Sequence, residues 1–390
     1  MLRSCWVVIA FLPTLGCGWF QRDSQLTQLH SILAAMRRTE PVFPGPRGVT
    51  PRLTEAKHLA VEWVEGKLSQ LKPTGNLNTF QKGLNTWLLE SDLFCRHEGC
   101  SNSMLGTGYV ETILLDQPQP GLLTVRIPMA IDCGVDESVY LYSYSEGTGW
   151  RRIWQNEQNI YTEDAYKPQR IEKVLVSPER EQAKRVVATI GVLPWCFSNH
   201  HPTYYRVFRT GAALDGTKLV DGEEWSFVDG AATGKVSTTD AFIEFTVTYA
   251  DGFHRRAIRH FDLPMGGPAK RVDPIAFTPR EFVAEWLSNS WTVVAAWTAP
   301  TPGDLSMPIW HRKLTAPENP RRVQLEDPIM RCAHNSAMWS VAAGGHFFLV
   351  RRDLPDRFRM FAVSGKPFSG CNEVDRSFEE LEGTMFPKVR

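Results

Sequence analysis

No charge of one sign prevails in this chain: Lys+Arg and Asp+Glu both number 43 among 390 residues. A balanced composition raises no net field to attract nucleic acid, so that partner class is set aside. Long hydrophobic runs are missing as well, and no segment after the first fifteen residues approaches the ~20 apolar residues of a spanning helix. The short motifs of common enzymes are also absent. There is no Gly-x-Ser-x-Gly elbow, no His-Glu-x-x-His pair and no Gly-x-x-x-x-Gly-Lys-Ser/Thr loop. Gly106-x-Gly108 lacks a third glycine and a following helix, which excludes a dinucleotide turn. Neither a cofactor nor a metal is expected. Carboxylate hydrolysis stays open, because its paired acids meet only in the fold.

What is present begins at the N-terminus. Arg3 is followed by the uncharged run Ser4–Leu15 and then by Gly16-Cys17-Gly18. A basic start, a short apolar stretch and small residues at its end have the pattern of an export signal. Thr14-Leu15-Gly16-Cys17 resembles the signal segment of bacterial lipoproteins. The resemblance implies acylation of Cys17 and a membrane partner reached through an N-terminal lipid. Ordinary cleavage after Gly18 is the rival, since Gly16-Cys17-Gly18 also reads small-x-small. The expected location is therefore the cell envelope, by lipid anchor, or a secreted or periplasmic one.

Eight cysteines occur, and removal of the signal region leaves Cys95, Cys100, Cys133, Cys196, Cys332 and Cys371. An exported chain oxidises such a set, and six cysteines allow fifteen connectivities. Order along the chain suggests Cys95–Cys100, Cys133–Cys196 and Cys332–Cys371.

Leu26, Leu29, Leu33 and Met36 recur at helical spacing within 23–38. Pro41, Pro44, Pro46 and Pro51 make 39–52 an extended linker, so the first helix and linker read as a stalk. A second helix from about Pro51 carries Leu53, Ala56, Ala60, Val64, Leu68 and Leu71 on one face. After Pro73-Thr74-Gly75, Leu77, Phe80, Leu84 and Leu88 mark a third, completing a helical hairpin. From Gly108 the period becomes two, with strands over 109–115, 122–127, 139–144, 186–190, 204–209 and 242–249. Thr278-Pro279-Arg280-Glu281 is a capping box opening one later helix.

An aromatic or histidine beside basic residues recurs at Trp150-Arg151-Arg152, Tyr205-Arg206, His254-Arg255-Arg256, Trp310-His311-Arg312 and Arg357-Phe358-Arg359. The spacing is about fifty residues, and apolar runs such as Trp291–Trp297 precede each motif, which is a propeller-like period. The expected fold is mainly β: a propeller-like or sandwich-like body of about five four-stranded repeats, preceded by N-terminal helices. The alternative is a β-sandwich plus a small α+β C-terminal domain. The expected divisions are a signal segment 1–17, helix and Pro-rich linker 18–52, helical hairpin 53–104 and β-rich body 105–390, with a sub-boundary near 275.

Few residues suggest chemistry. His200 and His201 form a loop pair, but adjacent residues of an extended chain point apart, which suits solvated histidines better than one metal ion. Asp132, Asp136 and Glu137 concentrate carboxylates around Cys133, read as a polar turn that offers oxygen donors. His254 and His260 share a face of one strand. Thirteen tryptophans supply core, with a subset available to stack on sugars or grip a partner. The expected role is non-catalytic binding or scaffolding of an envelope protein or glycan. The rival is an envelope glycan or peptide hydrolase using carboxylate or histidine chemistry.

Overall fold

Three helices open the chain: α1 (Leu12–Arg37), α2 (Val49–Leu68) and α3 (Leu77–Glu90). In α1 the expected stripe is the buried face, with Leu29, Leu33 and Met36 inside the first hydrophobic core. The end of α1 is fastened as well, since Arg37 donates to Gly108 O at 2.9 Å and to Asp92 O at 2.7 Å. This corrects the stalk reading: three large apolar side chains and two charge-assisted hydrogen bonds build the helix into the body. It also starts earlier than the stripe suggested, taking the backbone of Gly16-Cys17-Gly18 into its first turns. α2 begins at Val49, so Thr50 and Pro51 belong to its first turn and the linker is shorter than 39–52. Asn76 caps α3 by accepting from Thr79 N at 3.0 Å.

The computed structural model describes residues 12–38, 49–94, 108–131, 134–158, 169–179, 184–193, 202–225, 232–236, 242–248, 256–264, 267–272, 276–299, 306–316, 328–354 and 357–378. Contacts divide it into two units, Met1–Glu223 and Glu224–Arg390.

In the first unit β1 (Tyr109–Val110), β2 (Leu114–Asp116), β3 (Leu122–Ile131), β4 (Gly134–Ser145) and β5 (Gly149–Asn156) form one antiparallel sheet around the long β3–β4 pair. Leu123, Val125, Ile127, Met129 and Ile131 of β3, with Tyr140 and Tyr142 of β4, face the helices. The opposite face presents Leu122, Val139, Leu141 and Trp154 to a second sheet. That sheet consists of β6 (Arg170–Val176), β7 (Val186–Val192), β8 (Pro202–Arg209) and β9 (Thr217–Trp225), in sequence order. Helices, first sheet and second sheet thus make three layers, which is why β3 is buried almost throughout. On β8 two consecutive tyrosines each lie against a glycine of a flanking strand. Gly191 is paired with Tyr204, and a Cβ there would stand 2.7 Å from the phenol oxygen. A Cβ on Gly222 would overlap the ring of Tyr205.

In the second unit β10 (Ala232–Val236), β11 (Phe242–Thr248), β12 (Arg256–Asp262) and β13 (Lys270–Arg271) form an antiparallel sheet in sequence order. Then come α4 (Pro279–Ser288), α5 (Trp291–Val294), a 3-10 turn over Ala295–Trp297, and α6 (Ser306–Thr315). The fourth sheet comprises β14 (Met330–Cys332), β15 (Met338–Ala343), β16 (His346–Leu354), β17 (Arg357–Ser364) and β18 (Cys371–Val374), ordered β17-β16-β15-β14-β18. The capping box forms: Thr278 Oγ1 accepts from Glu281 N at 3.1 Å, and Glu281 accepts from Phe277 N at 2.8 Å. Phe282, Val283 and Trp286 of α4 share one core with Trp339, Phe348, Val350, Phe358 and Met360, an α+β arrangement running from Ala276 to Phe378.

The chain is mainly β, with strands taking 42% and helices 30% of the described residues, and no closed barrel or propeller is found among them. The fourth expected repeat is helical. Trp310-His311-Arg312 lies on α6, and Trp291–Trp297 forms α5 and the 3-10 turn. Short apolar runs read equally as strand or helix, and Met307, His311 and Leu314 bury one face at helical spacing. Trp150-Arg151-Arg152 lies on β5, Tyr205-Arg206 on β8, Arg256 on β12 and Arg357-Phe358-Arg359 on β17. His254 and Arg255 fall outside the described residues.

Candidate functional site

Asp136 and Glu137 are not in a turn. Both belong to β4, where successive side chains take opposite faces of the sheet. Asp136 therefore looks toward the helices and Glu137 toward the second sheet, and each carboxylate anchors a separate polar cluster.

On the helix side Lys57 Nζ of α2 stands 2.8 Å from Asp136 Oδ2, with the two side chains 2% and 1% exposed. The ammonium also donates to Gln158 O at 2.9 Å. Further along the same face Tyr140 donates to Glu157, and Tyr142 donates to Glu65 at 3.1 Å. Arg152 Nε lies 3.3 Å from the same Glu65 oxygen. Burial, and then the neighbouring carboxylates, push both phenols well above their ordinary range. Both stay protonated donors. Lys57 and Glu65 thus tie α2 to β4, while Glu157 and Arg152 extend the seam to β5 and the residues after it.

On the other face Glu137 Oε2 accepts from Ile171 N at 2.6 Å, while Arg126 Nε lies 3.5 Å from Oε1. Arg126 donates in turn to Ile171 O, so the pair holds both peptide groups of one residue of β6. Gln169 continues the attachment. Its N donates to Val135 O at 2.7 Å, its O accepts from Glu137 N at 3.1 Å, and its side chain donates to Glu137 O at 3.0 Å. Arg206 of β8 donates to Gln169 Oε1 at 2.7 Å and to Asp221 at 3.1 Å. Burial lifts the Glu137 carboxyl to about 7, against the lowering pull of Arg126, the Ile171 hydrogen bond and Arg170. Glu137 Oε1 and the Tyr204 hydroxyl are buried and make no hydrogen bond within the protein.

The second unit has its own charged joint. Glu285 of α4 bonds Arg259 of β12 and Arg271 of β13. His311 lies edge-on to Trp286, with 4.7 Å between ring centroids, and its Nε2 is 3.2 Å from Trp286 O. Burial lowers its pKa, with backbone hydrogen bonds opposing. Asp375 accepts from Trp339 Nε1 at 2.8 Å and from Arg331 Nε at 3.0 Å. Cys332 and Cys371, directly paired residues of β14 and β18, form a disulfide.

Of the residues singled out from the sequence, Asp136 lies in the buried seam and Cys332 and Cys371 are joined. Cys17 lies on the backbone of α1. Asp132, Cys95, Cys100, Cys133, Cys196, His200 and His201 lie outside the described residues. Among the described residues no group of three His, Cys, Asp or Glu side chains is placed to hold a metal. Trp154, Trp286, Trp297 and Trp339 are buried, and Trp150, Trp291 and Trp310 are partly buried against the cores. Lys57 and Gln169 were missed, and Glu137 was read as part of a polar turn rather than of a strand. Lys57 had a signal: it interrupts the Leu53–Ala60–Val64 face at an inward position. Neither a protein-family model nor a curated protein matches this chain.

Proposed function

We propose that this chain is an exported protein, anchored by lipid at Cys17 to a bacterial envelope, whose mainly β body binds or scaffolds an envelope protein or glycan without catalysis. The observation that carries the reading is the Cys332–Cys371 disulfide, which belongs with an oxidising compartment. The segment ahead of Cys17 fits the same address. The non-catalytic part is supported by the buried ion pairs, whose groups are spent on joining layers rather than on a substrate. No helix among the described residues is long and apolar enough to cross a membrane, which leaves the N-terminal lipid as the proposed attachment.

Expression of the full chain in a bacterial host with radiolabelled palmitate tests the address. Label should enter the wild type in the membrane fraction and be absent from Cys17→Ser. A protein free of label that begins at Trp19 establishes plain secretion instead. Retention of Met1 in a cytosolic protein ends the export reading. Cross-linking on intact cells, with one envelope component captured by the wild type, tests the binding role.

A further inference from the structure

We propose that the attachment of residues 169–171 to β4, at one edge of the contact between the first and second sheets, is a proton-operated joint, closed while Glu137 carries a proton and opening to admit water as Glu137 ionises. The inference rests on the first unit alone and is independent of the export reading.

Beside the apolar core that the two sheets share, and apart from the Gln119–Val176 and Gln155–Leu214 hydrogen bonds, one short polar attachment ties β6 to β4. Residues 169–171 run beside β4, with a parallel bridge between Asp136 and Gln169. The hydrogen bonds of Gln169 and the grip of Arg126 and Glu137 on Ile171 fasten β6 there. Glu137 stands at the centre of this attachment with 3% of its side chain exposed. An ionised carboxylate offers about four acceptor sites, yet one of its oxygens finds no hydrogen bond. Ionising it in place removes hydration that the site does not replace. A neutral carboxyl fits the same space at much lower cost.

The charges around it do not reverse this. Arg126 faces it from β3, Arg170 and Glu172 come from β6, Glu111 from the segment between β1 and β2, and Tyr204 and Arg206 from β8. Arg170 is shared with Glu111, 3.7 Å away, and Arg206 with Asp221. Asp136 is engaged by Lys57 on the far side of β4. Burial outweighs the two nearest arginines, and Glu137 holds its proton to about pH 7. The open, hydrated joint releases that proton near the ordinary carboxylate value. The closed form therefore binds the proton more tightly, and raising the pH must favour opening.

Hydrogen exchange followed by mass spectrometry on the full chain tests this at pH 5 and pH 8, after correction for intrinsic exchange rates. Protection of 134–139 and 169–172 should fall at pH 8, with the opening equilibrium rising on the order of 10- to 100-fold. Glu137→Gln should abolish that pH dependence, and Glu65→Gln, altered on the opposite face, should keep it. Unchanged protection in the wild type overturns the joint, as does an equal loss in Glu137→Gln. If Glu137→Gln does not fold, the carboxyl ¹³C shift of Glu137 in the wild type decides. A midpoint near 7 supports the proposal, and an ordinary carboxylate midpoint overturns it.

Discussion

The first unit joins its layers through polar groups withdrawn from water: Lys57 to Asp136 between helix and sheet, and Arg126 with Glu137 of the first sheet to the backbone of Ile171 in the second. In the second unit Glu285 makes a comparable joint with Arg259 and Arg271, and a covalent clasp links β14 and β18. These devices act on different states. A buried ion pair adds little over a well-packed apolar contact but costs a great deal when one partner is lost. A disulfide acts mainly by restricting the unfolded chain. The units should therefore fail under different insults, pH and lost partners for the first, reductant for the second.

The largest expected effect tests the first half of that contrast. Lys57→Met leaves Asp136 buried without its cation and should destabilise the first unit by about 3–5 kcal/mol in chemical denaturation. The double change with Asp136→Leu should recover most of the loss. A single-variant loss below about 1 kcal/mol would show that the pair does not hold α2 to the sheet.

Reduction tests the other half. The disulfide joins residues 39 apart in sequence, and opening a loop of that size should cost roughly 3–4 kcal/mol in the chain-entropy picture. Cys332→Ser with Cys371→Ser should speed hydrogen exchange in β14 and β18 and leave β3 and β4 unchanged. Equal effects in both units would erase the distinction.

Glu137 sharpens the comparison with pH. Its folded value, about 7, lies above the ordinary 4.5. The stability it contributes is thus fully present below pH 4.5 and is lost as the pH rises through 7. Glu137→Gln should be more stable than the wild type by roughly 2–3 kcal/mol at pH 8, with the difference vanishing near pH 4. Urea titrations across that range would show the slope, or its absence.

The smallest effect is local. Thr278→Ala removes the side-chain acceptor for Glu281 N and should cost the second unit about 1 kcal/mol, measured by thermal unfolding.

Helices were legible wherever an apolar stripe had caps. The faces of α1 and α2 and the box at Thr278 stand where the sequence put them. The run Trp291–Trp297 was not, because its composition suits strand and helix alike and only packing decides. The buried seam was hidden for a different reason. Asp136 and Glu137 look like turn residues beside Gly134, and nothing local announces that Lys57, 79 positions away, neutralises one of them. Long-range pairing of this kind is a property of the fold. The strand reading began at Val139, five residues after β4 starts, so the alternation that sends the two acids to opposite faces was not read from the sequence.

The second sheet carries little alternation to align it, since β7 is buried along its whole length. Apolar contrast between faces cannot then tell β8 where to stop sliding. Gly191 and Gly222 supply the missing information. Each leaves a gap for one ring, on Tyr204 or Tyr205, in a strand on either side of β8. A slip by one residue would press both phenols onto side chains that have no room for them. The two empty positions act like the notches of a key, fixing the alignment of three strands by what they omit.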